Sequence, residues 1–323
     1  MQYEVKAETF DSIASLWQDA RSLLKWDCIY VLPGWLKSWW RFFGAGDDLY
    51  LLSIRDNDEV IGIAPLRIKN NEAHFMGDRD VCDWLDFVIA PGRKADFFDA
   101  LIGYLRHKGV NHLNLAPVRH GSVVWAYLIN EMVRDCAYDV AVVQEDVLVE
   151  MELPGSWEVY LSSLSTKQRH EVRRKLSKME NAGDVNYHVY DNADAMDIFL
   201  ALFAKNRQDK AAFMTAQMQS FFISLAQYMS EISILKIGVL EMGSVPVAAV
   251  MCFDYGGAVY LYNSAYDAKY AYLSVGLVSK IMCIKDSVEK GKTSFNFLKG
   301  AEEYKSRLGG VDIPVYNCRI SIC

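Results

Sequence analysis

One order of structural elements is predicted twice in this sequence. Each copy begins with two strands joined by a short polar turn, which is Asp56-Asn57-Asp58 in the first copy and Met242-Gly243-Ser244 in the second. The strands that follow these turns are predicted over 59–69 and 245–255, and the equivalent residues Val60 and Val245 lie 185 residues apart. The second copy continues through Gly256-Gly257, a dipeptide typical of a hairpin turn, into another strand. The pattern predicts a duplicated unit, and the alternative is coincidence among common α/β elements.

Each copy continues with a helix and a further strand. Apolar residues recur at helical spacing up to Lys108-Gly109 in the first copy and up to Lys290-Gly291 in the second, where a glycine ends each helix. Short apolar strands follow at 111–115 and 293–298. Two such units predict an α/β fold of the α+β type, in which each copy has a mixed, mostly antiparallel sheet with flanking helices.

Composition agrees with two packed domains. The chain has 323 residues, of which 52% are hydrophobic and 13% aromatic, and it has no low-complexity linker. We place the domains at 1–150 and 151–323. A net charge of −7 argues against a surface built throughout for a polyanion. Neither a signal peptide nor an apolar run of membrane-spanning length is predicted, so we expect a soluble cytoplasmic protein.

Cysteine and histidine patterns indicate neither a disulfide framework nor a metal site. The six histidines have no metal-binding spacing, so we expect no metal. The seven cysteines form no CxxC pair, and we expect buried, reduced thiols. They are Cys28, Cys82, Cys136, Cys252, Cys283, Cys318 and Cys323.

A basic amphipathic helix over 165–180 is predicted to open the second domain. Six of the twelve residues from 167 to 178 are Lys or Arg and one is Glu, which makes this the strongest basic cluster in an acidic chain. Arg169 and Arg173 are four residues apart and share a face, so they are candidates for binding an anionic substrate. The alternative is a solvated face without a ligand.

The strand at 293–298 runs into a polar loop that crowds reactive side chains together. Tyr304, Lys305 and Arg307 lie within four residues just beyond the strand's carboxyl end. Lys and Arg complement anions and a tyrosine can transfer a proton, so Tyr304 and Lys305 are candidate catalytic residues and Arg307 a candidate substrate ligand. A surface turn with solvated charges is the alternative.

These features in this order resemble a known family. The chain resembles the CelD-like, or BioF2-like, acetyltransferases, a branch of the GNAT superfamily related to the FemABX peptidyltransferases. The segments that show this resemblance lie between residues 33 and 309. The segments are Pro33-Gly34-Trp35-Leu36 with Trp39-Trp40, the strand 60–66, the helix 165–180, Val245-Pro246-Val247-Ala248-Ala249, and Phe295-Asn296-Phe297-Leu298-Lys299-Gly300 with Tyr304-Lys305-Ser306-Arg307.

The resemblance implies two tandem GNAT-like domains, with the acyl donor held by the second. It implies an acetyl-CoA or other acyl-CoA whose pyrophosphate binds at a helix start, which here is Leu273-Ser274-Val275-Gly276. Of the usual glycine-rich loop signature, only Gly276 is matched. Relatives commonly carry Asp where this chain has Asn296, so we expect Asn296 to orient substrate rather than to act as a base.

Acyl transfer to an amine also needs a proton source for the departing thiolate and groups that hold the amine. Tyr262 is a candidate for the first task and Tyr260 for the second, because alternation places both on one face of a strand; the alternative for each is packing. Trp35 is a candidate for an acceptor groove, with an aromatic core as the alternative. Weaker candidates are Asp254 and Asp267 as bases or turn residues, and Asp83 and Asp86, which we expect on the exposed face of a strand.

The leading hypothesis is therefore an N-acyltransferase acting on an amino sugar or on a cell-envelope or polysaccharide precursor. A second hypothesis is aminoacyl-tRNA-dependent peptidyl transfer, with tRNA bound by the basic helix. A third is a non-catalytic accessory protein of polysaccharide biosynthesis.

Overall fold

The structure is a computed structural model that describes residues 3–132, 138–206 and 212–322. Cys136 and Cys323 lie outside these residues, and the other five cysteines are buried with free thiols. The helices are α1 (Phe10–Gln18), α2 (Pro33–Phe43), α3 (Lys94–His107), α4 (Trp157–Ser163), α5 (Thr166–Glu180), α6 (Met196–Ala204), α7 (Ala216–Glu231), α8 (Val275–Glu289) and α9 (Glu303–Arg307). The strands are β1 (Glu4–Ala7), β2 (Asp48–Asp56), β3 (Glu59–Lys69), β4 (Glu72–Phe75), β5 (Val88–Ile89), β6 (His112–Arg119), β7 (Val140–Glu152), β8 (Val185–Tyr190), β9 (Leu235–Met242), β10 (Val245–Tyr255), β11 (Ala258–Tyr266), β12 (Ser294–Lys299) and β13 (Val311–Ser321).

The chain divides into two compact units. The first comprises Met1–Val147 with Ile313–Cys323, and the second comprises Leu148–Asp312. The sequence placed everything after residue 150 in one domain, whereas β13 pairs with β6 of the first unit, with Ser321 opposite His112. A terminal strand carries no local signal of which sheet edge it will join, because that choice depends on an edge formed elsewhere in the chain.

The first unit contains the first predicted copy. Strands β2, β3 and β4 pair antiparallel in succession, and β6 returns after α3 to pair parallel with β4. The core is rich in aromatic side chains. Phe97 of α3 lies so close to Gly62 of β3 that a Cβ atom on this glycine would meet the Phe97 ring at 2.2 Å, which explains a glycine in the middle of a buried strand.

Two candidates from the sequence are structural residues of the first unit. Trp35 is fully buried and packs edge-on against Tyr30 at 4.7 Å, so it belongs to an aromatic core. Asp86 is buried rather than exposed, and the expectation of a strand face was wrong. Its carboxylate accepts hydrogen bonds from the amides of Val123 at 2.7 Å and Val124 at 3.2 Å, where a π-helical segment (Val124–Met132) begins. Burial raises the pKa of Asp86 to about 6.

The second unit repeats the same order. Strands β9, β10 and β11 pair antiparallel in succession, and β12 returns after α8 to pair parallel with β11. The end of β7 borders β12, and β8 borders β9. Helix α8 packs on one face of these strands through Val278, which belongs to the same hydrophobic core cluster as Leu240 and Val247. The duplicated strand and helix order predicted from the sequence is thus present in both units, and the mixed α/β fold class is confirmed.

The basic helix is confirmed almost residue for residue. Ser165 is its N-cap and forms a capping box with Gln168, which satisfies two of the amides that lack partners at a helix start. Val172 and Met179 are buried on its apolar stripe. The loop expected after β12 instead contains the short helix α9.

Candidate active site

Strands β11 and β12 separate part-way along their length. Their parallel pairing covers three residue pairs and ends with Tyr260 opposite Asn296. Beyond this pair each strand carries a bulge, since Tyr262 has no partner on β10 and Phe297 has none on β7. Bulges bend a strand away from its neighbour. The two strands therefore do not pair with each other toward their carboxyl ends.

Helix α8 begins beside this separation and no side chain caps it. Its N-cap, Ser274, has left-handed backbone geometry with φ +61°, an uncommon state for a residue other than glycine. The amides of Leu277 and Val278 both donate to the Ser274 carbonyl at 2.9 Å. The first amides of a helix, here those of Val275 and Gly276, have no intrahelical acceptor, and the helix dipole makes this end positive. The arrangement suits an anion.

Cationic side chains from two helices surround this helix start. Lys175 of α5 donates from Nζ to Ser274 Oγ at 2.6 Å. Lys178 donates from Nζ to the carbonyl of Tyr272 at 2.7 Å. Lys280 is buried, donates to the Gly276 carbonyl at 2.8 Å, and has Nζ 5.2 Å from the centre of the Tyr304 ring. Helix α5 thus fixes the turn before α8 and adds positive charge to it.

A small pocket of about 210 Å³ opens at this point, and we call it the helix-start pocket. The predicted Gly276 is needed here, because a Cβ atom on it would meet the Tyr266 ring at 2.9 Å. The predicted residues Ser274 and Val275 also line it, whereas Leu273 is buried beneath. The lining consists of Tyr266, Ala271, Ser274, Val275, Gly276, Leu277, Lys280 and Tyr304.

A larger cavity of about 980 Å³ shares Leu277 and Tyr304 with the helix-start pocket, and we call it the basic groove. Its cationic lining comes from Lys167, Arg174 and Lys175 of α5 and from Arg307 of α9, over an apolar floor that includes Ile281. The predicted ligands Arg169 and Arg173 do not line it. Helix α5 directs residues 167, 171, 174 and 175 toward α8 and α9. Because successive residues of a helix are rotated by about 100°, Arg173 points to solvent instead.

The three candidates of α9 have different environments. Tyr304 lines both cavities, and burial, with a smaller contribution from Glu302, raises its pKa well above the ordinary value, so its hydroxyl stays protonated at neutral pH. Arg307 lines the basic groove and pairs with Glu303. Lys305 is 2% exposed, and its Nζ donates to the carbonyls of Leu298 at 3.1 Å and Gly300 at 3.0 Å. These bonds hold the chain between β12 and α9, which gives Lys305 a structural role.

The candidates on β11 and β12 do not form the arrangement expected from alternation. Because the bulge lies at Tyr262, the strand's alternation is interrupted between Tyr260 and Tyr262. Tyr262 packs between Phe222 at 5.4 Å and Phe253 at 5.1 Å, measured between ring centres. Asn296 accepts from the Leu298 amide at 2.7 Å and donates from Nδ2 to Glu150 Oε1 at 2.8 Å. Sequence reasoning missed Glu150, because it lies in β7, far from this strand along the chain.

The two weaker candidates for a base have structural partners. Asp254 pairs with Lys292 at 2.7 Å. Asp267 accepts from the Lys269 amide at 3.0 Å and caps the short 3-10 turn that leads to α8. Both match the turn-residue alternative. Within the described ranges, no helix has the length and apolar character needed to cross a bilayer.

Several solved structures share this fold. The chain is 10% identical to FemX with a TM-score of 0.65, covering 98% of this chain and 96% of that one. It is 13% identical to a conserved protein of unknown function from Bacteroides thetaiotaomicron, with a TM-score of 0.59 and coverage of 99% and 100%. It is 11% identical to the C-terminal domain of a putative lysylphosphatidylglycerol synthetase from Agrobacterium fabrum, with a TM-score of 0.57 and coverage of 96% and 90%. At such identities these similarities establish the fold alone.

A comparison with sequence families identifies the second unit. A search of curated proteins gave no significant match. The family described as "Acetyltransferase (GNAT) domain" matches residues 166–306, a range that contains α5, the separating strands, the helix-start pocket and Tyr304. The hypothesis of a non-catalytic accessory protein is thereby not supported. Residues 166–306 of the second unit thus match a GNAT-type acetyltransferase domain, and this match supports an acyltransferase.

Proposed function

We propose that this chain transfers an acyl group from an acyl-CoA to the amine of an amino sugar or of another cell-envelope or polysaccharide precursor. The observation that carries the donor side is the uncapped start of α8 beside the point where β11 and β12 separate. The acceptor class rests on the sequence resemblance to CelD-like acetyltransferases.

The diphosphate of the donor fits the amides of Val275 and Gly276. Lys175 and Lys280 add positive charge on two sides of this position. A thioester arm that continues from there would run between β11 and β12, beyond Tyr260 and Asn296, the last pair that joins them. The basic groove shares Leu277 and Tyr304 with the helix-start pocket, and its volume of about 980 Å³ has room for the nucleotide end.

Tyr304 is the group that would protonate the departing thiolate. Its raised pKa keeps the proton on the phenol at neutral pH, and it lines both cavities in which the donor would lie. Asn296 is at the last paired position before the strands separate and would orient substrate from there.

Ligand-induced stabilisation of the whole chain tests the donor. A ligand at 100 times its dissociation constant stabilises a folded protein by about 2.7 kcal/mol, so millimolar acetyl-CoA or a longer acyl-CoA should raise the melting temperature. Thiol release from the same donors, with glucosamine as a probe amine, then tests transfer. No thermal shift with any acyl-CoA and no thiol release would contradict the proposal.

One observation favours a second candidate, aminoacyl-tRNA-dependent transfer. Arg173 is exposed on α5 and Arg169 is half-buried, and both lie outside the basic groove, where they could contact a larger polyanion. Salt-dependent binding of tRNA that is lost when Arg169, Arg173 and Arg174 are replaced by alanine would support it. Absence of binding at low salt would exclude it.

A further inference from the structure

The acyltransferase described so far has a candidate acid but no base. An amine acceptor is protonated at neutral pH and attacks a thioester only after it loses a proton. Asn296 occupies the position next to the strand separation, and an amide cannot take up that proton. The group beside Asn296 is a carboxylate, Glu150 of β7, with Oε1 2.8 Å from Asn296 Nδ2.

Three side chains form a row across three strands at this point. Tyr260 of β11 is in register with Asn296 of β12, and Asn296 is in register with Glu150 of β7. Residues directly opposite each other in a sheet direct their side chains to the same face. The row contains the last pair that joins β11 to β12, so Glu150 is one strand away from the position where a thioester would lie between them.

The row lies on the face of the sheet opposite α8. Cys252 of β10 points toward α8, since its Sγ is 3.6 Å from Sγ of Cys283 in that helix. The next residue, Phe253, points to the other face and is in register with Tyr260. Tyr304, in contrast, lies beside α8 through Lys280. A donor held between the separated strands would thus have the acid on one side and the carboxylate on the other.

Hydrogen bonds fix the direction of the Asn296 amide. Its Oδ1 accepts from the backbone amide of Leu298 at 2.7 Å, which leaves Nδ2 to donate to Glu150. Because Asn296 is buried and held by the β12 bulge, it orients the half-buried carboxylate. The carboxylate comes from the adjacent strand.

We propose that Glu150 is the general base that accepts the proton of the acceptor amine, an inference that rests on the proposed acyl transfer. The ammonium of the acceptor gives one proton to the Glu150 carboxylate. The neutral amine then attacks the thioester carbonyl carbon, forming the C–N bond. As the C–S bond breaks, the thiolate takes a proton from Tyr304, and the phenolate is restored by the second proton lost from nitrogen. One proton leaves Glu150 to solvent, so the products are an amide, a thiol and one proton.

The test compares Glu150→Gln with Glu152→Gln in the full-length protein. Glutamine keeps an oxygen that can accept from Asn296 but cannot act as a base at neutral pH. Glu152 is on the same strand and face, is exposed, and is in register with Ser294, away from the strand separation. Thiol release from acetyl-CoA is measured with glucosamine and, without amine, with water as acceptor. We expect Glu150→Gln to lower kcat/KM by about 10²- to 10⁴-fold and Glu152→Gln to leave it within twofold.

Two further readouts separate a base from a structural role. The dissociation constant of acetyl-CoA should stay within twofold in Glu150→Gln, and the pH–rate profile should lose the limb that reports the base, so that activity rises with pH only as the amine itself deprotonates. Glu150→Asp should recover part of the rate. An active wild-type protein whose Glu150→Gln variant keeps its rate and pH profile would overturn this inference alone. A wild-type protein that releases no thiol from any acyl-CoA would overturn the proposed function and this inference with it.

Discussion

The two units contain the same helix start in different electrostatic surroundings. In the first, α3 begins next to Arg93, whose guanidinium is held by Asp96 in the first turn and by Asp56, each at 2.7 Å. In the second, α8 has no acidic residue in its first turn, and Lys175 and Lys280 lie beside it. A carboxylate near the first turn satisfies the positive end of a helix, whereas cations leave it for an external anion. Neither helix start is capped by a side chain, so the difference lies in the charges around them. We call the start of α3, which has carboxylates of its own chain beside it, closed, and the start of α8, which has lysines beside it, open.

The strands that precede these two helices also differ between the units. In the first unit β4 ends at Phe75, which is buried and packs against Phe87 at 5.0 Å. In the second, β11 continues to Tyr266, well past its last pair with β12 at Tyr260. Aromatic side chains fill the first unit at this point, whereas separated strands open the second. The duplicated fold therefore yields a candidate site in the copy whose strands separate.

The largest effect that this comparison predicts is in Tyr304→Phe. Loss of the phenolic proton should lower kcat by about 10²- to 10⁴-fold, because a positioned acid contributes that much, while donor affinity is kept. Steady-state thiol release and acyl-CoA titration measure the two quantities. An unchanged kcat with the fold intact by circular dichroism would remove Tyr304 from the chemistry and weaken the distinction between the units.

The first unit should show its own signature in the pH dependence of stability. The pKa of Asp86 is raised to about 6 when the unit is folded, so the folded state binds this proton more tightly than the unfolded state does. The contribution of Asp86 to the free energy of unfolding is largest below about pH 4 and falls by about 3 kcal/mol as the pH rises to 6. In Asp86→Asn this decline should vanish. Urea unfolding of both proteins at several pH values gives the comparison, and an identical pH slope in the variant would contradict it.

The cations of α5 should differ according to whether they reach α8. Lys175→Met removes a charge beside the helix start and should weaken acyl-CoA binding by about 1.5–3 kcal/mol, the range for hydrogen bonds to charged groups. Arg173→Met, on the same helix but outside the basic groove, is the matched control and should bind acyl-CoA as the wild type does. Isothermal titration measures both constants. Equal losses in the two variants would indicate a general charge effect instead of a defined site.

The smallest effect is expected at the closed helix start of the first unit. Arg93 and its two carboxylate partners are each partly exposed, so Arg93→Ala should cost about 0.5–1 kcal/mol of stability. The rise in melting temperature expected with acyl-CoA should not change, because the proposed donor site lies in the second unit. If Arg93→Ala altered the ligand-induced shift, the first unit would have a part in donor binding that its structure does not indicate.

Local sequence patterns predicted the secondary structure well. Strands β3 and β10 were predicted with the bounds that the structure has, and the basic helix with nearly the same bounds. These successes share a cause. Turn residues, glycines after helices and helical spacing of apolar residues act over a few positions, so they can be read without knowing the rest of the chain.

The site was predicted only in part, because much of it depends on contacts between distant elements. The helix start at Ser274-Val275-Gly276 was predicted from the family resemblance and Tyr304 from the polar loop, and these residues do line one pocket. The role of Lys305 was predicted from its charge alone, and charge does not reveal that three backbone carbonyls and Glu302 would enclose it. Asp86 was misjudged for the same reason, since burial is a property of the packed unit, and for Trp35 the structure matches the alternative of an aromatic core.

The sequence by itself determined that one strand–helix unit was used twice and that its second copy has the features of an acyltransferase, because periodicity, turns and motif order are local properties. Only the tertiary structure decided which copy is open, that β13 joins the first unit, and that Glu150 stands beside Asn296. Those outcomes depend on strand register and on the packing of segments far apart in the chain, and register is fixed only when the sheets form.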